Sequence, residues 1–388
     1  MKSNYEPLGK HIQLVDYRNS EEVTSTVLGI SIDKEFMPSV ANVIGTDLSR
    51  YKLISKGLFA CNPMHVGRDE RLPIALYEKD SPAIVSPAYF MFEIIDRDVL
   101  NEEYLMMWLR RPEFDRECWF MTDGSVRGGI SWDDLCRIKL PVSSYARQCE
   151  IVGSYRAITD RIALKRAEND NLEATAMSLY KSWFIDYEPF DLDDEGLPVG
   201  WYKAKLNDKL STSTQSINPQ KMDCDFVWHY SIPAYDNEKL PSKDIPSSIL
   251  SNKYIVPPNA ILVSKLNPDT KRIWRSVPCF ENAICSTEFI VFSAKEPTHR
   301  AFYYLLFNTG SFIDFLVSNA TGSTNSRMRV KPASSLDFEF ICPPNEVIDS
   351  FCRKVEPMLQ KIEENHLEIR KLKELIPIAV AKMMSSSR

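Results

Sequence analysis

The feature that most constrains this chain is that it is written twice. Ser86 and Phe92 recur as Ser286 and Phe92's counterpart Phe292, an offset of 200, inside similar surroundings at residues 80–92 and 281–292. Upstream, residues 51–60 match 254–263 at an offset of 203; downstream, Thr122-Asp123-Gly124-Ser125 matches Ala320-Thr321-Gly322-Ser323 at 198. Each copy then reaches a strand-like stretch ending in proline, at residues 135–141 and 336–343. Landmarks repeated in one order point to a duplicated unit of about half the chain.

The first part of each copy is rich in short β-branched and aromatic runs broken by Pro, Asn and Asp. Residues 83–85, 89–95, 260–264 and 289–292 read as strands, and 102–111 and 298–308 as short helices. The second part of each copy changes period. Ile151, Tyr155, Ile158, Ile162, Lys165, Asn169, Leu172, Ala176, Leu179 and Trp183 advance by alternating steps of four and three. Ile348, Phe351, Val355, Met358, Ile362, Asn365, Ile369, Leu372, Ile376, Ala379 and Met383 do the same. A seam sustained over about four heptads predicts a coiled coil, and a helix of about 40 residues is roughly 60 Å long. Pro377 is expected to kink the second helix.

The expected fold is therefore α+β: two similar α/β domains separated by two long antiparallel helices that form a coiled coil, with internal pseudo-twofold symmetry. Residues 1–144 make the first domain, 145–190 the first helix, 191–344 the second domain and 345–388 the second helix. Asn169 and Asn365 are the polar seam position shared by both helices. Facing one another, they would fix register at some cost in stability, with the domains held at opposite ends. The plainer alternative places each Asn at the seam edge, against water.

Recognisable chemistry is missing. The chain has no Gly-x-Gly-x-x-Gly and no phosphate-binding Gly-x-x-x-x-Gly-Lys loop. Asn62-Pro63-Met64 and Asn267-Pro268-Asp269 echo an amino-methyltransferase motif only poorly and read as turns. The histidines (His11, His65, His229, His299, His366) are isolated, so no metal set is expected. Asp191–Glu195 reads as a solvated acidic linker. Nine cysteines without a C-x-x-C pair suit reduced thiols in the cytoplasm, and no apolar run is long enough to span a membrane. Net charge is −6, and no segment is strongly basic: residues 191–344 hold 16 Lys/Arg against 17 Asp/Glu. Nucleic-acid binding, if present, must then use local patches on a near-neutral body.

Such patches exist. Arg68 and Arg71 lie in one loop of the first domain and Arg127 in a Gly-Ser loop, Gly124-Ser125-Val126-Arg127-Gly128-Gly129. The second domain has Lys265, Lys271 and Arg272 in one loop and Arg327, Arg329 and Lys331 in the matching Gly-Ser loop. Arginine presents a fork suited to guanine and phosphate, and small residues let it reach a groove. For any one of these residues, simple surface solvation is the competing reading.

Duplicated α/β domains alternating with long helices resemble the DNA specificity subunits of type I restriction-modification systems. The most specific words are Leu179-Tyr180-Lys181-Ser182-Trp183-Phe184-Ile185-Asp186-Tyr187-Glu188-Pro189-Phe190 and Leu197-Pro198-Val199-Gly200-Trp201, similar to that family's central region. One departure is the Glu-Gln pair often found after the strand-ending proline. Arg147-Gln148 and Glu346-Val347 stand there instead. The resemblance implies a subunit that is not an enzyme and holds no metal or cofactor of its own. Each target recognition domain would read one half of a split, asymmetric double-stranded DNA sequence, and the helices would measure the gap. Two methyltransferase subunits carrying S-adenosylmethionine would dock, and a restriction subunit using ATP and Mg can join them. The divergent basic loops then become the DNA contacts. The competing class is a protein-binding coiled-coil scaffold; a self-contained methyltransferase ranks behind it for want of a cofactor loop.

Overall fold

The computed structural model describes residues 5–39, 45–64, 66–122, 128–278, 280–322 and 328–385. It falls into two compact units, one of Met1–Asp160 with Leu372–Arg388, the other of Arg161–Lys371. The division cuts both long helices, because each end of a helix packs on the domain beside it.

The first unit holds a four-stranded antiparallel sheet in the order Ile12–Leu14, Phe90–Ile94, Phe59–Cys61, Ile74–Leu76. A second sheet runs Phe36–Pro38, Val27–Ile30, Ala83–Val85, Lys52–Ile54, with Val27–Ile30 parallel to Ala83–Val85. A ribbon pairs Tyr5–Pro7 with Lys139–Pro141. Strand alternation feeds two cores at once. Phe59 and Cys61 enter a cluster with Ile74, Phe92 and Tyr104, while Ala60 enters another with Ile54, Val85 and Met91.

The second unit repeats this wiring. Its antiparallel sheet is Leu210–Ser213, Phe289–Ala294, Ile261–Ser264, Ile273–Arg275. Its other sheet is Ser216–Ile217, Lys253–Ile255, Ala283–Cys285, Val227–Tyr230, Ser242–Asp244, again with one parallel pair, Val227–Tyr230 with Ala283–Cys285. Strand for strand the two match, the second copy adding Ser216–Ile217. A ribbon of Tyr202–Lys205 with Glu339–Cys342 completes it. Ile261 and Val263 face one core with Phe292 and Phe307; Leu262 faces the other with Tyr230 and Trp274.

Helices Glu102–Leu109 and Arg300–Phe307 lie within the spans read from sequence, the latter preceded by a 3-10 turn at Pro297–His299. Asn101 caps the former, its Oδ1 accepting from the Glu103 and Tyr104 amides at 3.0 Å each. One expectation needs correcting. Residues 135–137 are helical, not strand, because Ser131 Oγ accepts from the Asp134 amide at 3.1 Å and caps a helix at Trp132–Arg137. The strand itself is confined to Lys139–Pro141. Its counterpart is Glu339–Cys342, preceded by a helical turn at Pro332–Ser335.

The long helices are Tyr145–Phe184 and Asn345–Ser385. The second continues through Pro377 and also through Pro357, a helix-interior proline that the seam pattern does not register. Within the second unit they run antiparallel. Arg161 Nε donates to Glu368 at 2.6 Å, Asn169 meets Asn365, and the Tyr180 and Phe351 rings lie 6.0 Å apart. Within the first unit Val380 packs on the cluster that contains Ile151 and Val152.

Asn365 is fully buried, and its Nδ2 donates to Asn169 Oδ1 at 2.8 Å and to Glu168 at 3.0 Å. Its own oxygen accepts from Lys165 Nζ at 3.0 Å, and Lys165 also pairs with Glu368 at 3.5 Å. The seam's polar point is thus a network, in which Lys165 replaces an apolar contact and holds the Asn pair in one orientation.

Candidate nucleic-acid interface

In each unit, two chain segments far apart in sequence form one platform. The first domain leaves the strand Phe59–Cys61 through Asn62-Pro63 and a short helix, Val66–Asp69. The Gly67 amide donates to Gly128 O at 3.0 Å, and the Ile130 amide to Pro63 O at 3.1 Å. A Cβ on residue 129 would sit 2.8 Å from Pro63 O, so a glycine at 129 is what lets the two segments approach this closely. The loop's return is fixed from below. Asp115 Oδ1 accepts from the Leu72 amide at 3.0 Å and pairs with buried Lys34 at 2.8 Å, whose pKa burial pushes down.

The second domain builds the same platform between the segment after Ile261–Ser264 and that after Gly322. The Asn267 amide donates to Met328 O at 2.8 Å, the Val330 amide to Lys265 O at 3.0 Å, and Leu266 bridges to Arg329. Asn267 adopts a positive φ of 47°, which closes the turn with the Thr270 amide. The sequence assigned the two basic loops of each domain separately; the structure brings each pair together.

The individual side chains divide by how they are held. Arg68 makes a bidentate pair with Asp69 at 2.6 and 3.0 Å, Arg71 reaches Asp33 at 3.3 Å, and both remain more than half exposed. Arg329 pairs with Glu288 at 3.0 and 3.1 Å and is 45% exposed. Exposed pairs of this kind contribute about 0–1 kcal/mol, so a guanidinium can be handed to a phosphate or base at little cost. Arg272 is different. Only 15% exposed, it grips Asp236 at 2.6 and 2.9 Å and ties the loop base to the helix Ile232–Glu238. That makes it a brace for the loop. Lys271 is exposed and donates to Asn308 O at 3.2 Å; Lys331 is exposed and Lys265 half-buried. Arg127 and Arg327 lie outside the described residues.

Other polar groups escaped the sequence reading. Gln148 is fully buried at the start of the first long helix. Its oxygen accepts from the Asn101 amide at 2.9 Å, and its nitrogen donates to Val99 O and Ser143 O at 2.8 Å each. At the start of the second long helix Asp349, 42% exposed, instead meets side chains, His299 Nε2 at 3.1 Å and Thr298 Oγ1 at 3.4 Å. Arg275 and Arg300, each 5% exposed, form a charge cluster with the partly buried Glu356 and Glu363. The available signal was an arginine closing the apolar run Ile273-Trp274-Arg275. Among the described residues no group of three or more His, Cys, Asp or Glu could hold a metal ion, and no helix is long and apolar enough to cross a membrane.

The fold and its platforms define a class: a twice-built mixed helix-and-strand unit carrying two long helices, with a divergent polar loop platform on each copy. No family model matches the sequence. The type I restriction enzyme MjaIX specificity subunit of Methanocaldococcus jannaschii is 22% identical over 317 residues, 75% of this chain and 70% of that protein. The HindI specificity subunit of Haemophilus influenzae is 20% identical over 424 aligned positions, covering 89% and 90%. The crystal structure of a type I restriction-modification S subunit from M. genitalium superposes with a TM-score of 0.60 at 12% identity, over 98% of this chain and 95% of that one. That likeness establishes the fold. The resemblance to type I DNA specificity subunits, carried in the sequence by residues 179–201, is therefore borne out by relatives and fold alike.

Proposed function

We propose that this chain is the DNA sequence-specificity subunit of a type I restriction-modification complex and has no catalysis of its own. Each domain reads one half of a split, asymmetric target through its loop platform. The long helices act as an antiparallel, pseudo-twofold coiled coil that sets the gap and receives two methyltransferase subunits. S-adenosylmethionine belongs to those partners, and ATP and Mg to a restriction subunit where one joins; the complex works in the cytoplasm.

The observation that carries this reading is the platform built twice on the same backbone contacts with different side chains. Arg68, Arg71 and Arg127 face one half-site in this scheme; Lys265, Lys271, Arg327, Arg329 and Lys331 face the other, with Arg272 bracing the loop. A common frame with divergent tips is what two unlike half-sites require. Near-neutral net charge fits a subunit whose partners share the phosphate contacts.

Single-molecule methylation sequencing of host DNA with and without the gene tests this. The expected result is loss of one split motif with a fixed gap when the gene is removed. An unchanged methylome, together with no binding to methyltransferase subunits, would favour a protein-binding scaffold.

A further inference from the structure

The strand Ile273–Arg275 brings the second domain's basic loop back into its sheet, and it ends on a buried arginine. Arg275 is 5% exposed as a side chain and pairs with Glu356 and, at 3.1 Å, with Glu363, two residues seven apart on the second long helix. Arg300, also 5% exposed, lies 3.9 Å from Glu363 and donates to Ser276 O, the carbonyl next along from Arg275. Burial pushes the Arg300 pKa down to about 10 and that of Glu363 up.

The fold does not demand these charges. Arg275 pairs with Ile261, which pairs in turn with Phe292; in the first copy the same ladder is Leu76, Phe59, Phe92. A leucine closes that strand there. It lines an open groove of about 320 Å³ with Met106, Met107 and Tyr155, whose other walls carry Glu78, Arg110 and Asp160 and which is bridged by Glu103 and Arg156, 28% and 58% exposed. Nor is the cluster an efficient stabiliser. Among the described residues Arg275 Nε and Nη1, Arg300 Nε and Glu363 Oε1 lack a well-formed hydrogen bond. Buried ion pairs commonly add less stability than apolar side chains of the same size, but a displaced one leaves a charge stranded. The cluster therefore penalises any sliding or rotation of the loop strand along the helix.

We infer that Arg275, Arg300, Glu356 and Glu363 are positioning residues that hold the second domain's DNA-reading loop in register with the second long helix, and so set how strictly the gap between half-sites is measured. This rests on the function proposed above. The first domain, seated across an open groove with no buried charge pair at the matching strand end, contributes less to that strictness.

The test uses the full-length chain assembled with its methyltransferase subunits and DNA carrying both half-sites with gaps varied one base pair at a time. In the wild type, methylation should fall at least about tenfold for each base pair of gap error, the scale of a single mismatch in a specific site. The double variant Arg275→Met with Glu363→Met keeps side-chain volume and removes opposite charges together. It should reduce that discrimination to about threefold or less while base preferences within both half-sites persist. Glu356→Gln, a milder change at a 30% exposed side chain, should lower it partially and serves where the double variant does not melt cooperatively. Glu103→Gln should leave gap discrimination unchanged. Folded second-copy variants with the wild-type gap profile, or an equal relaxation from Glu103→Gln, would overturn the inference. If the wild-type assembly methylates no split motif, the functional reading itself fails, and this inference with it.

Discussion

Substituting Asn365 with Ala removes three hydrogen bonds at the buried point of the helix pair: to Asn169 at 2.8 Å, to Glu168 at 3.0 Å and from Lys165 at 3.0 Å. The amide–amide bond contributes about 1 kcal/mol, and bonds to charged partners about 1.5–3 kcal/mol where water is excluded. Glu168 is 42% exposed and rehydrates, and Lys165 keeps Glu168 and Glu368, so those two must be discounted. A net loss of about 2–3 kcal/mol follows, mostly from the stranded Asn169 oxygen and the cavity. For a unit the size of Arg161–Lys371 this lowers the melting temperature by about 5–10 °C. The double substitution Asn169→Leu with Asn365→Leu should behave oppositely and match or exceed wild-type stability, because two polar groups leave together and Asn169 Nδ2 already lacks a partner. Thermal and urea melts of wild type, Asn365→Ala, Asn169→Leu, Asn365→Leu and the double Leu variant give the single loss and, from the four-chain Leu cycle, the coupling. A loss below about 0.5 kcal/mol for Asn365→Ala, or a double variant as destabilised as the sum of its singles, would show that the pair is not coupled in the core.

Gln148→Ala should destabilise the first unit by about 1–3 kcal/mol, since it removes three hydrogen bonds from a fully buried side chain while the Asn101 amide and the Val99 and Ser143 carbonyls, only partly buried, are in part rehydrated; a melt unchanged from wild type refutes the clamp. Lys265→Ala and Lys331→Ala should each weaken binding by the assembled complex to all DNA sequences alike and lower the salt slope by about one, read by anisotropy titrations across salt concentrations. Arg329→Ala should relax one base pair of the second half-site by about 1–3 kcal/mol, and an unaltered motif would remove it from the reading set. His366 is partly buried, and that desolvation, with Lys239 and Arg370 nearby and Glu238 opposing them, lowers its pKa from 6.5 to about 4. The folded chain therefore resists a proton that the unfolded chain accepts. Stability from this group is complete above pH 6.5, declines as pH falls toward 4, and totals at most about 3 kcal/mol. Comparing wild type with His366→Gln from pH 7 to pH 4 should show a shallower decline in the variant; parallel curves would refute the assignment.

The sequence revealed whatever depends on period and order. Short β-branched and apolar runs located the strands read at residues 83–85 and 260–264, and the four-three rhythm located both helices to within a few residues, the latter because its pattern is set by the helix's own repeat. Seam spacing also singled out Asn169 and Asn365. What stayed hidden depends on partners distant in sequence. Gln148 reads as an ordinary polar residue until Val99 and Asn101 are placed beside it, and Arg272 resembles Arg329 until Asp236 shows that one is braced and the other exposed. Helix Trp132–Arg137 was missed because its evidence is a cap, Ser131, rather than a periodicity.

That difference also explains what duplication kept and what it released. Strand order, the parallel pair and the loop-on-loop platforms are common to both copies because they arise from backbone hydrogen bonds that many sequences can make. The seats of the domains on the helices are made of side chains, and there the copies part. In the first, the domain supplies the acid, Glu103, and the helix the base, Arg156; in the second, the domain supplies Arg275 and Arg300 and the helix Glu356 and Glu363. An exchange of partners between copies would bring like charges together, a penalty that discriminates against the wrong seat even though the backbones match. A chain with two similar domains and two similar helices needs such a distinction to assemble in one way. Opposite polarity at these buried and bridging pairs supplies part of it without altering the fold they share, while Glu238 of the second domain and Arg370 of its helix, 3.9 Å apart, run in the other sense.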